Sequence, residues 1–167
     1  MFPDRQPVHL PVWHPAFLIA TWFGSGRLPG APGTWGSLAA LPVAWLIVWW
    51  GGHAALAVGV VVTFLAGWWA SEIYVQRSGL EDPGAIVIDE VSGQWLVLLL
   101  AGLDPLHYLI GFVLFRIADI IKPWPASLAD RRIKGGLGVM VDDMLAAVYA
   151  AIALYFIVGW IDPWRMT

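Results

Sequence analysis

The sequence predicts an all-α fold: a compact helical membrane protein with about four to five apolar helices, a short N-terminal interfacial helix and a polar site on the cytoplasmic side. Three observations carry this. Hydrophobic residues make up 59% of the chain and charged residues 13%, against ~25% charged in an ordinary soluble domain. Apolar stretches recur between Gly, Pro and Asp breaks. The charged residues are gathered into a few islands. With 167 residues there is room for one domain, 1–167, made of an extended segment over 1–12 and a membrane-embedded core over 13–161.

Residues 1–12 are Pro-rich, and each proline disfavours helix in the residue before it. They lack the basic region and apolar core of a signal peptide, so insertion is expected through the chain's own helices. Trp13 to Phe23 is a short apolar stretch suited to an interface. Gly24 to Ser37 reads as a Gly- and Pro-rich loop. Leu38 to Trp50 is the first apolar segment, closed by Gly51-Gly52, and Ala54 to Ala70 is the second. Val91 to Leu103 forms the third, ended by Asp104-Pro105. Leu106 to Ile121, stopped by Pro123, is the fourth, and Met144 to Ile161 the fifth. Several fall short of the ~20 residues of a perpendicular span, so re-entrant segments fit the pattern too.

The charges orient this set. If the first segment runs outward, Arg5, Arg27, Arg77, Arg116, Lys122, Arg131, Arg132 and Lys134 all fall on the inner side, leaving Arg165 opposite. That asymmetry is what the positive-inside rule asks of a cytoplasmic face. Trp49, Trp50, Trp160 and Trp164 mark the outer boundary; Trp13, Trp22, Trp35, Trp68, Trp69 and Trp124 mark the inner one. The net charge of −3 suggests no nucleic-acid partner, and the absence of cysteine excludes disulfides, thiolate catalysis and Cys-bound zinc.

The acids narrow the chemistry. Asp104 and Asp162 read as solvated turn residues, and Asp4, Glu81 and Asp82 as surface charge. Glu72, Asp89, Glu90, Asp119, Asp130, Asp142 and Asp143 remain. Asp89-Glu90 and Asp142-Asp143 each stand at the expected N-terminus of an apolar helix, where one acid suffices as a cap. Two pairs on one face suggest a shared cation. A set of oxygen donors suits Mg²⁺ or Mn²⁺ rather than zinc. Arg116, Asp119 and Lys122 share a broad helix face and form either an ion-pair ladder or a phosphate-binding group. Arg131, Arg132 and Lys134 read more simply as attraction to anionic lipid. Gly135, Gly136 and Gly138 would let backbone N–H groups face an anion. Among hydroxyls, Thr34 and Ser37 are the candidates by position, although most loop hydroxyls only make turns.

Four stretches in this order carry a resemblance: Ala31-Pro32-Gly33-Thr34-Trp35-Gly36-Ser37, Val87-Ile88-Asp89-Glu90-Val91-Ser92-Gly93, Phe115 to Pro125, and Gly135 to Asp143. Over about residues 16 to 160 the chain resembles the phosphatidylglycerophosphatase A family. Ala118 stands where an aromatic residue is expected and Val139 where Ile is usual. The resemblance implies a Mg²⁺-dependent multi-pass lipid phosphatase of the bacterial inner membrane, its active site facing the cytoplasm. The implied substrate is phosphatidylglycerophosphate in the bilayer, hydrolysed to phosphatidylglycerol and inorganic phosphate. It assigns catalysis to Asp89, Glu90, Asp119, Lys122, Asp142 and Asp143, with metal on Asp89, Glu90, Asp142 and Asp143. Thr34, Ser37, Arg116 and Lys122 are the expected phosphate-binding residues. The rival classes are a small ion or proton carrier and a non-catalytic anionic-lipid-binding protein. The first predicts ionisable residues at mid-bilayer depth, yet Leu38–Trp50, Ala54–Ala70 and Met144–Ile161 hold no charge.

Overall fold

A computed structural model describes residues 10–80 and 83–161. Every regular element among them is helical: α1 (Pro15–Ala20), a 3₁₀ turn (Ser25–Arg27), α2 (Pro32–Ser78), α3 (Ile88–Leu98), α4 (Pro105–Ile121), α5 (Ala126–Arg132) and α6 (Gly135–Ile161). Most of the expected 1–12 segment, with Glu81, Asp82, Asp162, Trp164 and Arg165, lies outside the described residues.

The first two apolar segments are the arms of α2. Gly52, at φ 69° and ψ −174°, breaks the helix. A Cβ on Gly59 would lie 3.9 Å from Ile47 Cδ1, whereas the same spacing along a straight helix spans ~18 Å. The arms therefore fold back on each other, and the two ends of α2 come to the same end of the molecule. Glycine suits Gly52 because a positive φ costs it nothing.

The third apolar segment is the short helix α3 and the turn after it. Nine of the 11 residues of α3 are buried, and a helix of that length covers only ~16 Å. Its apolarity reflects burial in protein. Trp95 Nε1 donates to Ala40 O on one α2 arm at 2.9 Å, and Ser92 Oγ to Val60 O on the other at 3.4 Å. α4 starts at Pro105, with Asp104 Oδ1 accepting from the N–H of Leu106 (2.8 Å) and His107 (3.3 Å). The expected solvated turn acid is thus a helix cap. α4 crosses α3 and α6 closely at Gly111, where a Cβ would meet Leu154, Val97 and Leu98 at 3.4–3.6 Å.

α2 and α6 are long and apolar enough to cross a membrane, by length and composition. Both turn large apolar side chains outward, among them Leu46, Trp50, Val58, Leu65, Ile152, Phe156 and Trp160. The 17-residue α4 also exposes Ile117, Ile120 and Ile121. Buried Val48, Leu56, Trp95, Leu98, Phe115, Met140 and Leu154 belong to one core shared by these helices.

Candidate active site

The hairpin of α2 sets the site by returning its far end beside its near one. Pro32 occupies the first helical turn, where its fixed φ and missing N–H cost nothing. The stretch expected as loop through Ser37 is therefore helical from Pro32, and Thr34 and Ser37 sit on a helix. Its glycines serve close approach. A Cβ on Gly33 would run into Glu90 Oε1 and lie 3.0–3.1 Å from the Arg116 guanidinium. One on Gly36 would lie 2.6 Å from Val87 Cβ. The first motif thus packs directly on the second.

The acids converge from three helices. Asp89 and Glu90 stand in the first turn of α3, Asp119 near the end of α4, and Asp142 and Asp143 well inside α6. Carboxylate oxygens of Asp89, Glu90 and Asp143 lie within 4.8 Å of one another, and the side chain of Asp119 bonds to that of Asp143. Below them Gly93 lets Phe115 approach, a Cβ there lying 2.7 Å from the ring. Asp142 and Asp143 were expected at a helix start, but α6 begins at Gly135 and holds no acid in its first turn. Capping cannot account for them.

Magnitudes separate capping from cation binding at Asp89 and Glu90 as well. An acid at a helix N-terminus gains ~0.3–1 kcal/mol. Two ionised carboxylates no more than 4.8 Å apart would repel by at least about 3 kcal/mol at an effective dielectric constant of ~20. Burial holds the Asp89 carboxyl well above the usual carboxylate range, and the charges of Glu90 and Asp143 add to it. Glu90 is raised by burial too, with its bond to Asp89 and the Arg116 charge opposing. Buried oxygens Asp89 Oδ1, Glu90 Oε2, Asp142 Oδ1 and Asp143 Oδ2 have no hydrogen-bond partner. Several converging buried carboxylate oxygens, with no nitrogen or sulfur donor among them, fit a hard divalent cation such as Mg²⁺.

Two basic residues complete the group. Lys122 caps α4 in the left-handed region (φ 45°, ψ 67°), and its N–H bonds to Ala118 O at 2.8 Å. The turn points its ammonium at Asp142 and at Asp130 Oδ1, the latter 3.1 Å away. Burial pulls the Lys122 ammonium down, but the carboxylates of Asp142 and Asp130 outweigh it and leave it more basic than an ordinary lysine. Arg116 Nη1 bonds to Asp119 Oδ2 at 2.7 Å and lies 3.9 Å from Glu90 Oε1. It also donates to Ser37 Oγ at 3.4 Å, and Ser37 donates to Gly33 O at 2.9 Å.

A cavity of about 430 Å³ opens over this cluster, lined by Asp89, Glu90, Asp119, Lys122, Asp142 and Asp143. Arg116 and Ser37 stand behind that wall, and Thr34, half-buried, does not line it either. Asp130, Arg131 and Lys134 do line it, which the basic composition of their segment did not reveal. Glu72 serves elsewhere: its Oε2 accepts from Gly136 N at 2.7 Å and so closes the N-terminus of α6. That N–H, expected to face an anionic ligand, is taken by the protein itself.

Comparison with known proteins shows the family. The family model described as phosphatidylglycerophosphatase A matches residues 18–158. The chain is 39% identical to the Escherichia coli phosphatidylglycerophosphatase A over 87% of its own length and 83% of that protein. It is 37% identical to the Haemophilus influenzae protein of the same name, over 88% and 91%. A Bacteroides thetaiotaomicron protein, provisionally named a phosphatidylinositol-3-phosphatase, is 39% identical over 90% and 94%. No solved structure matches. The chain belongs to the phosphatidylglycerophosphatase A family.

Proposed function

We propose that this protein is a phosphatidylglycerophosphatase, a phosphoric monoester hydrolase that releases inorganic phosphate from phosphatidylglycerophosphate and leaves phosphatidylglycerol. The carrying observation is one cavity that gathers Asp89, Glu90, Asp119, Asp142 and Asp143 against Lys122, in a chain of that family. Asp89, Glu90, Asp142 and Asp143 would hold Mg²⁺. When bound, the cation supplies positive charge that draws in the phosphomonoester and stabilises negative charge on its oxygens.

The chain's own groups account for the rest. Lys122 presents a fixed point charge on the cavity wall, suited to a phosphate oxygen in the transition state. Arg116 braces Glu90 and Asp119 from behind. Water attacks phosphorus, a new P–O bond forms, and the bond from phosphorus to the glycerol oxygen breaks. Asp119 or Glu90 accepts a proton from the attacking water, and the departing glycerol oxygen takes up a proton, which leaves phosphatidylglycerol and inorganic phosphate.

The protein is read as multi-pass in the bacterial inner membrane, with this cavity on the cytoplasmic side. The two arms of α2 and helix α6 supply the long apolar surfaces. Among the described residues, Lys122, Arg131 and Lys134 line the cavity and Arg116 pairs with its acids, and the positive-inside rule puts such a basic group on the cytoplasmic side. α1, with exposed Trp13 and Phe23 on either side of it, lies at the interface. Acyl chains stay in the bilayer while the headgroup reaches the cavity laterally.

Phosphate release from phosphatidylglycerophosphate by the purified protein in detergent, with Mg²⁺ and then with EDTA, tests this reading. Phosphatidylinositol 3-phosphate belongs in the same assay because of the Bacteroides relative's name. Mg²⁺-dependent release from phosphatidylglycerophosphate supports the proposal. Its absence from folded protein refutes it.

A further inference from the structure

The phosphatase reading accounts for the floor of the cavity and leaves its mouth unexplained. The buried carboxylates form the floor, whereas Arg131 and Lys134 are exposed and still line the same cavity. Among the described residues Lys122 also lines the wall, deeper than these two and ion-paired with Asp142 and Asp130. The volume, about 430 Å³, is within the ~300–1,000 Å³ range of sites for drug-sized ligands. A single phosphate does not need that room.

Resting on that reading, the substrate headgroup carries two phosphates joined by a glycerol bridge. The terminal monoester belongs at the carboxylate floor with the cation. The inner diester is still an anion and needs its own counter-charge. We propose that Arg131 and Lys134 form a second phosphate subsite at the cavity mouth, which takes the diester phosphate and selects lipids phosphorylated beyond their diester. The short helix α5 carries Arg131, and Lys134 follows just past its end: Leu128 and Ala129 N–H bond to Pro125 O at 3.0 Å, and Ile133 N–H to Ala129 O at 2.8 Å. Arg and Lys are the side chains suited to phosphate oxygens, the first as a planar fork and the second as a point charge.

Arg132 supplies the internal control. It is exposed and basic like its neighbours but does not line the cavity. Diffuse attraction to an anionic bilayer treats Arg131, Arg132 and Lys134 alike; a subsite does not.

The test measures kcat and KM in mixed micelles for Arg131→Ala, Lys134→Ala and Arg132→Ala. The substrates are phosphatidylglycerophosphate and phosphatidic acid, which lacks the inner diester. The expected result is a roughly tenfold rise in KM for phosphatidylglycerophosphate in the first two variants, a loss of about 1.4 kcal/mol in binding. Their kcat stays near wild type, their activity on phosphatidic acid does not fall in parallel, and Arg132→Ala matches wild type. Equal losses in all three variants, equal losses on both lipids, or no change in any variant would overturn the subsite. Should wild-type protein release no phosphate from phosphatidylglycerophosphate, the reaction itself is wrong, and that failure is read before any variant is made.

Discussion

Lys122, at the left-handed end of α4, is ion-paired with Asp142, well inside α6. The pair joins the third and fourth sequence motifs at the wall of the cavity. Tyr149 Oη also donates to Trp124 O at 2.6 Å and holds the turn after Lys122 against α6. Lys122→Ala should lower kcat by about 10²–10³, the loss seen when one preorganised donor to a developing anion is removed. Lys122→Arg should rescue little, because a planar fork does not replace a compact ammonium. Phosphate-release kinetics on the two variants check this, and full activity in Lys122→Ala would remove the residue from catalysis.

Asp143→Asn removes one charge from a cluster that repels itself. Without Mg²⁺, and at a pH high enough to ionise the cluster, the variant should melt at a higher temperature than wild type, because Asp119, Glu90 and Asp142 then lose a like charge. Activity should fall at least a thousandfold. Wild type should gain about 2.7 kcal/mol at a Mg²⁺ concentration of ~100 Kd, and the variant much less. Thermal melts with and without Mg²⁺ read both effects, and an equal Mg²⁺ shift in the two proteins would take Asp143 out of the metal set.

Mg²⁺ affinity should rise with pH. Burial holds Asp89 and Glu90 above ordinary carboxylates, so the metal-free site carries protons at pH values where a surface acid has lost them. A cation must displace those protons, so binding is weak below the raised values and levels off above them. Titration calorimetry in two buffers of different ionisation enthalpy measures the protons released. Binding with no proton release and no pH dependence contradicts the expectation.

Gly33→Ala would place a methyl group against Glu90 Oε1 and the Arg116 guanidinium. Displacing Glu90 should cost more than tenfold in activity while the helices remain formed. Gly111→Ala is the comparison, because a Cβ there meets Leu154 and Val97 at an ordinary 3.4 Å. Alanine in that helix interior should be neutral for activity and add up to ~1 kcal/mol of stability. Circular dichroism melts and kcat separate the two cases, and equal behaviour would remove Gly33 from the site's support.

The acids and Lys122 were legible in the sequence because the chain is so apolar that each charge stands out. The end of α4 was legible as well, since Pro123 cannot continue a helix. Other features depend on contacts that no local pattern carries. Three glycines before Asp142 read as loop, yet α6 runs through them; a Cβ on Gly136 would strike the α2 backbone at Glu72 and Trp68. α3 read as a third apolar segment because burial in protein and burial in lipid select the same side chains. Glu72 looked like a site acid until Gly136 supplied its partner. The link from Ser37 to Arg116 spans 79 positions, beyond any periodicity.

Gly52 has a practical consequence for handling the protein. The turn there lies ~30 Å along either arm from the residues that build the site, and its neighbours Gly51 and His53 are exposed. A short epitope or fluorophore-bearing insert between Gly51 and His53 should leave phosphate release intact. It would give a reporter of which compartment that end of the hairpin enters.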